Sequence, residues 1–221
     1  MTVPLTVRAD DASLEGDLTV PADARGAVLF AHGSGSSRHS PRNQAVAHHL
    51  QDARLATLLF DLLRPDEERA DALSGQYRFD IEFLAPRLLK AIEQVHGDPT
   101  TGGLPIGLFG ASTGAAVALL AAARRPELVG AVVSRGGRPD LAGAALAGVR
   151  APTLLVVGER DEEVLALNER AAARLAVPHD IRIIAGASHL FSEEGALEQV
   201  AEHAAEWFGV HLGRHRNEGA R

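Results

Sequence analysis

Six short runs that are apolar at nearly every position, each followed by a segment long enough for a helix, constrain this chain more than any other feature. The runs cover residues 27–31, 56–60, 106–109, 130–133, 153–157 and 181–184. A strand with no polar face must be covered on both sides, as parallel strands between two helical layers are. Parallel neighbours also need long crossover connections. Segments of suitable length and pattern lie at about 42–53, 79–96, 113–124, 162–175 and, after the last run, 194–208. Two further strands are expected ahead of them, at 5–8 and 14–20, the second alternating apolar and polar residues as a half-exposed strand does. This order predicts a doubly wound, mostly parallel α/β sheet flanked by helices. One domain is expected over residues 1–212, with a polar, glycine-bearing tail at 213–221 expected to be disordered.

Local signals mark several boundaries. Ser40-Pro41 fits an N-cap followed by proline at the first helical position. Pro126 stands just past a helix end, and Phe79 or Asp80 begins a helix after the polar stretch 64–78. Composition narrows the function classes. The chain of 221 residues has no cysteine, which removes disulfides, thiolate metal sites and a thiol nucleophile. A formal net charge of −7 argues against nucleic acid or an anionic membrane as partner. No secretory leader is read at the N-terminus, and no stretch approaches a membrane span. A cytoplasmic protein is expected.

Between the third apolar run and an alanine-rich helix stands Gly110-Ala111-Ser112-Thr113-Gly114. A serine on so sharp a strand-to-helix turn is driven to positive φ, with its Oγ exposed above the sheet. Side chains two positions to either side would collide, which explains the glycines. The alternative is a glycine turn that only lets helix and sheet approach. A phosphate-binding loop would end in Gly-Lys-Ser or Gly-Lys-Thr, and a dinucleotide fingerprint at Gly33-Ser34-Gly35 lacks its third glycine.

A serine nucleophile needs backbone donors for an oxyanion, a base and an orienting carboxylate. His32-Gly33-Ser34-Gly35-Ser36-Ser37 follows the first apolar run, so Ser34, with Gly33 next, is expected to supply one N–H and Thr113 the other. Of ten histidines, His189 is the expected base, because Ala185-Gly186-Ala187-Ser188-His189 follows the last run. His32 reads as structural, and His48, His49, His203, His211 and His215 lie on helices or the tail with no metal-ligand spacing. The acid should fall between serine and histidine in chain order. Asp161 in Gly158-Glu159-Arg160-Asp161 is the choice, crowded by Glu159 and Glu162, with Asp140 in reserve. No metal and no cofactor are expected.

With these residues in place, the chain resembles the α/β-hydrolase superfamily over about residues 5–208. Within it the chain looks most like the small dienelactone-hydrolase-like group, which includes bacterial domains found beside phosphoribosyltransferases. The resemblance implies an eight-stranded sheet, a triad on its C-terminal loops and hydrolysis without a cofactor. One departure stands out: dienelactone hydrolases carry a cysteine nucleophile, and this chain has Ser112.

The function expected is a serine esterase that cleaves a small ester, thioester or lactone through an acyl-enzyme on Ser112, His189 and Asp161. The alternatives are an idle ligand-binding module on the same fold, or perhydrolase or acyltransferase chemistry through the same intermediate. The stretch 134–152, with one short alanine-rich helix, is too brief for a cap domain, and 62–78 lacks the apolar face of a lipid lid. An open, shallow pocket for small acyl groups is therefore expected. Arg135 and Arg138 read as solvated loop residues, a preference for anionic substrates being the alternative.

Overall fold

The computed structural model describes residues 2–213, so the tail expected at 213–221 lies, from 214 on, outside the described residues. The strands are β1 (Thr2–Arg8), β2 (Ser13–Thr19), β3 (Gly26–Ala31), β4 (Leu55–Phe60), β5 (Ile106–Ala111), β6 (Val129–Arg135), β7 (Thr153–Gly158) and β8 (His179–Ile184). They form one eight-stranded sheet in the order β1-β2-β4-β3-β5-β6-β7-β8. β2 pairs antiparallel with both β1 and β4, and every later pairing is parallel.

The helices are α1 (Pro41–Asp52), α2 (Pro65–Ser74), α3 (Ile81–Gly97), α4 (Thr113–Arg124), α5 (Glu162–Ala172) and α6 (Ala196–Leu212). α1 and α6 cover one face, packing Val46, Leu50, Val200 and Phe208 against Val28, Phe30, Phe109 and Val133. α3, α4 and α5 cover the other, against Leu29, Leu58, Leu108 and Val132. Strand order reverses at β3, where the chain runs outward to β4 and later returns to β5 on the other side. The connections after β3 and β5 therefore leave toward opposite faces and open a crevice at the strands' C-terminal ends, where open α/β sheets bind their ligands. That crevice holds both Ser34 and Ser112.

Three local expectations fail, each for a physical reason. β8 forms, but it is the sheet's edge and is largely exposed, with Ile183 half exposed. Its charged Asp180 and Arg182, which pair with each other, suit an edge that must not recruit further strands. The stretch 139–148 is a pair of 3-10 turns, not an α-helix, because Gly143 breaks it at φ 53°. The polar stretch after residue 64 contains a helix, α2, whose buried residues are Glu67 and Asp71. No apolar periodicity could announce it, since charge holds it in place. Arg87 of α3 donates to both Glu67 oxygens at 2.7 and 2.8 Å and to Asp11 Oδ2 at 2.6 Å. Asp71 accepts the Tyr77 and Arg78 N–H groups at 2.7 and 2.9 Å and the Arg78 Nε at 2.9 Å. Pro65 starts the helix and Gly75, at φ 69°, ends it.

Candidate active site

β5 delivers Ser112 to the crevice in a strained conformation, φ 50° and ψ −120°. Such a residue costs on the order of 1–3 kcal/mol and persists only where its surroundings hold it. A side chain at Gly114 would collide with the Ala31 carbonyl oxygen of β3, and one at Gly110 would come within 2.6 Å of Gly114 O. Backbone bonds fix the turn from the other side. Ser112 N–H donates to Arg135 O at 3.1 Å, and Ser112 O accepts Arg138 N–H at 3.0 Å. The alanines that follow keep α4 close to the sheet, and residues 113–122 are buried throughout.

β7 and β8 deliver the expected acid and the expected base. Asp161 stands at the N-cap of α5, but its side chain makes no cap hydrogen bond. Its Oδ2 instead lies 2.6 Å from His189 Nδ1. With a proton on Nδ1 donated to the carboxylate, Nε2 is left as the basic nitrogen. The histidine loop is built against the end of β7: a side chain at Gly158 would strike the Ala187 carbonyl, and Arg160 N–H donates to Ala187 O at 2.9 Å. Two glutamates brace the loop. Glu159 Oε2 accepts Gly186 N–H at 2.7 Å, and Glu193 Oε2 accepts Ser188 N–H at 3.0 Å. The bond from Ser188 also holds the Glu193 carboxyl below its ordinary range. Nothing in the sequence distinguished Glu193 from other surface acids.

The reserve acid is committed elsewhere: Asp140 takes Arg138 in a fork, at 2.9 and 2.8 Å. Among the described residues Ser112 Oγ makes no hydrogen bond to His189. The segment 135–138 touches both loops: the Ser112 backbone bonds Arg135 O and Arg138 N–H, and a Cβ at Gly136 would stand 3.1 Å from His189 O. Catalytic hydrogen bonds are often open in the absence of substrate.

On the opposite side of Ser112, Gly33 lies so close that a Cβ there would be 3.1 Å from the Ser112 Cβ. Ser34 N–H donates to Thr113 Oγ1 at 3.0 Å, which joins the two expected oxyanion donors across the crevice. His32 is structural, as its place ahead of the loop suggested. It bonds Gly33 O through Nδ1 and accepts Leu62 N–H at Nε2, both at 2.9 Å. Burial pushes its imidazole below the ordinary histidine range. Arg38 anchors the same loop to Asp61 and Glu15. A cavity of about 170 Å³ opens beside Ser34 and Thr113, with Leu62, Leu63, Ala72 and Leu84 as its apolar wall. Part of that wall belongs to the unexpected helix α2.

Arg138 is half exposed and paired, but Arg135 is not a solvated loop residue. It is 8% exposed, and burial together with the nearby charge of Arg42 pushes its guanidinium down to about 10. Among the described residues no three side chains of the metal-binding types converge as ligands, and no helix is long and apolar enough to cross a membrane.

Known proteins share this fold. A family model described as an alpha/beta hydrolase domain matches residues 24–207. A crystal structure of dienelactone hydrolase from Anabaena variabilis superimposes with a TM-score of 0.94 at 53% identity, covering 96% of this chain and 98% of that one. Est1E from Butyrivibrio proteoclasticus, at 16% identity, shares the fold with a TM-score of 0.79 over 96% of this chain and 99% of its own. A Mycobacterium tuberculosis (strain H37Rv) protein named as a phosphoribosyl transferase is 55% identical over 206 residues, which are 93% of this chain and 46% of that protein. The chain thus spans about half the length of the curated relatives it matches. With its sheet order, its elbow at Ser112 and a family match over most of its length, the chain belongs to the alpha/beta hydrolases and is dienelactone-hydrolase-like within them.

Proposed function

We propose that the chain is a serine hydrolase that cleaves small esters, thioesters or lactones through an acyl-enzyme. The observation that carries this reading is the 2.6 Å contact of His189 with Asp161 in the crevice that also holds the strained Ser112. Ser112 Oγ attacks the carbonyl carbon while His189 Nε2 takes its proton, and Asp161 steadies the imidazolium. The oxyanion accepts the N–H groups of Thr113 and Ser34, so substrate must draw the Ser34 donor away from, or share it with, Thr113 Oγ1. His189 then returns its proton to the leaving oxygen or sulfur, and water repeats the sequence to free the acid.

The phosphoribosyl transferase name attaches to proteins of which the matched residues make up 46%. On this reading the matched residues carry the hydrolase, and phosphoribosyl transfer is left to the residues of those proteins outside the match. A fluorophosphonate probe tests the proposal. Labelling should fall on Ser112, and Ser112→Ala should abolish it while lowering p-nitrophenyl acetate hydrolysis by roughly three to six orders of magnitude. A folded protein that neither labels nor hydrolyses would be an idle binding module, and the proposal would fall.

A further inference from the structure

Beside the elbow, on the α1 face of the sheet, a buried arginine and a half-buried one have no acid partner. Arg135 ends β6, in register with Ala111, and its carbonyl accepts the Ser112 N–H. Alternation along the strand puts its side chain on the face of Ala131 and Val133, which pack in the α1–α6 core. Its Nη1 is buried with no hydrogen-bond partner, and so is the Nε of Arg42, at the start of α1. The two are close enough for Arg42 to disfavour the charge on Arg135.

The acids named at the crevice are already committed. Asp61 binds Arg38, Asp140 binds Arg138, Asp161 binds His189, and Glu193 takes the Ser188 N–H. The first turn of α1 holds no acidic residue. Arg87 shows how this protein neutralises a buried guanidinium when it needs only structure: Glu67 and Asp11 close around it. Leaving a buried charge uncompensated is strongly unfavourable, and a second cation beside it makes matters worse. An oxyanion between the two guanidinium groups would turn that repulsion into charge-assisted hydrogen bonds.

We propose that Arg135 and Arg42 form a binding site for a small oxyanion group, a carboxylate or a phosphate, next to Ser112. The site stands on the two arginines whether or not Ser112 is a nucleophile; that substrate itself brings the anion rests on the hydrolase reading. Two arms separate the sources. In the first, kcat/KM is compared for a neutral and an anionic ester of equal length, p-nitrophenyl butyrate and p-nitrophenyl hemisuccinate. A substrate-borne group predicts a preference for hemisuccinate of about tenfold, lost in Arg135→Gln. In the second, melting temperature and calorimetry are followed with inorganic phosphate and with succinate, which needs no turnover. A separately bound ion predicts saturable stabilisation at low-millimolar concentration, again lost in Arg135→Gln, without an ester preference. Should Arg135→Gln fail to fold, the more exposed Arg42→Gln carries the same readouts. The proposal is overturned if neither ester charge nor either ion has an effect, or if the effects survive in the variants.

Discussion

The elbow with α4 and the wall formed by α2 meet at the same crevice but are held by opposite means. α4 is apolar and buried from residue 113 to 122, and steric contacts of glycine and alanine fix the turn before it. α2 buries only Glu67 and Asp71, and Arg87 and Arg78 fasten it. Close packing is short-ranged and unforgiving, which suits a nucleophile that must be fixed to a fraction of an ångström. Ion pairs define position less sharply and depend on both partners being present. The proposed chemistry therefore stands on the stiff region, and one wall of the cavity stands on the charge-held one.

The largest expected effect lies on the stiff side. Asp161→Asn should lower kcat by about four orders of magnitude, because an amide favours the wrong imidazole tautomer. Asp140→Asn should lose only its pairing with Arg138, so a severe Asp140 variant with a mild Asp161 variant would reverse the acid assignment. Gly114→Ala comes next. Its methyl would strike the Ala31 carbonyl, and a loss of more than about 4 kcal/mol, seen as little soluble protein, is expected.

On the charge-held side, Arg87→Met should cost about 3 kcal/mol, since it leaves buried Glu67 with only the Arg64 N–H and the more distant Arg64 guanidinium. The same change should raise KM more than it lowers kcat, because it loosens the wall and spares the elbow. An equal loss in both would mean that α2 supports the chemistry directly. Denaturant melts and steady-state kinetics on one preparation read both quantities.

A smaller effect comes from His32, whose imidazole is pushed below its ordinary range by burial. A depressed folded value means that the unfolded chain binds the proton first. Stability is then complete above the unfolded value of about 6.5 and declines as pH falls below it toward the folded value. Protonation at Nε2 would also break the bond from Leu62 N–H. Melting temperature should drop between pH 7.5 and 5.5 in the native chain, and less so in His32→Gln. Parallel curves for the two would show that another group governs the acid side.

This contrast also sets what could be read from sequence. The layers, the strained turn at Ser112 and the meeting of Asp161 with His189 were legible because steric and periodic rules act on neighbours in the chain. Glycine at 110 and 114 and six apolar runs leave few alternatives. α2 was not legible, because Arg87, which holds Glu67 together with Asp11, is distant in sequence and no periodicity links it to Glu67. Arg135 was misjudged for a related reason. Arg135 and Arg138 look equivalent in Arg135-Gly136-Gly137-Arg138, and only the strand's alternation turns the first inward beneath α1. Glu193 was missed because its task is to hold one backbone N–H.

The least dramatic prediction concerns acyl length, and it tests the wall most directly. A cavity of about 170 Å³ is smaller than the roughly 300 Å³ at which drug-sized ligand sites begin, so it suits a short chain. Its apolar surface comes from Leu62, Leu63, Ala72 and Leu84, a fuller wall than the open, shallow pocket expected from sequence. Each methylene that reaches this wall contributes about 0.8 kcal/mol, or roughly a fourfold gain in kcat/KM, until the space is filled. Beyond it, further methylenes stay in water and add nothing, or push against α2. For p-nitrophenyl esters kcat/KM should therefore rise from acetyl to butyryl and fall at octanoyl, with no jump at a lipid interface. Leu84→Ala enlarges the space and should move the optimum one or two carbons longer. A steady rise toward palmitoyl would mean that α2 swings aside as a lid, and the charge-held region would then be a moving part and not a wall.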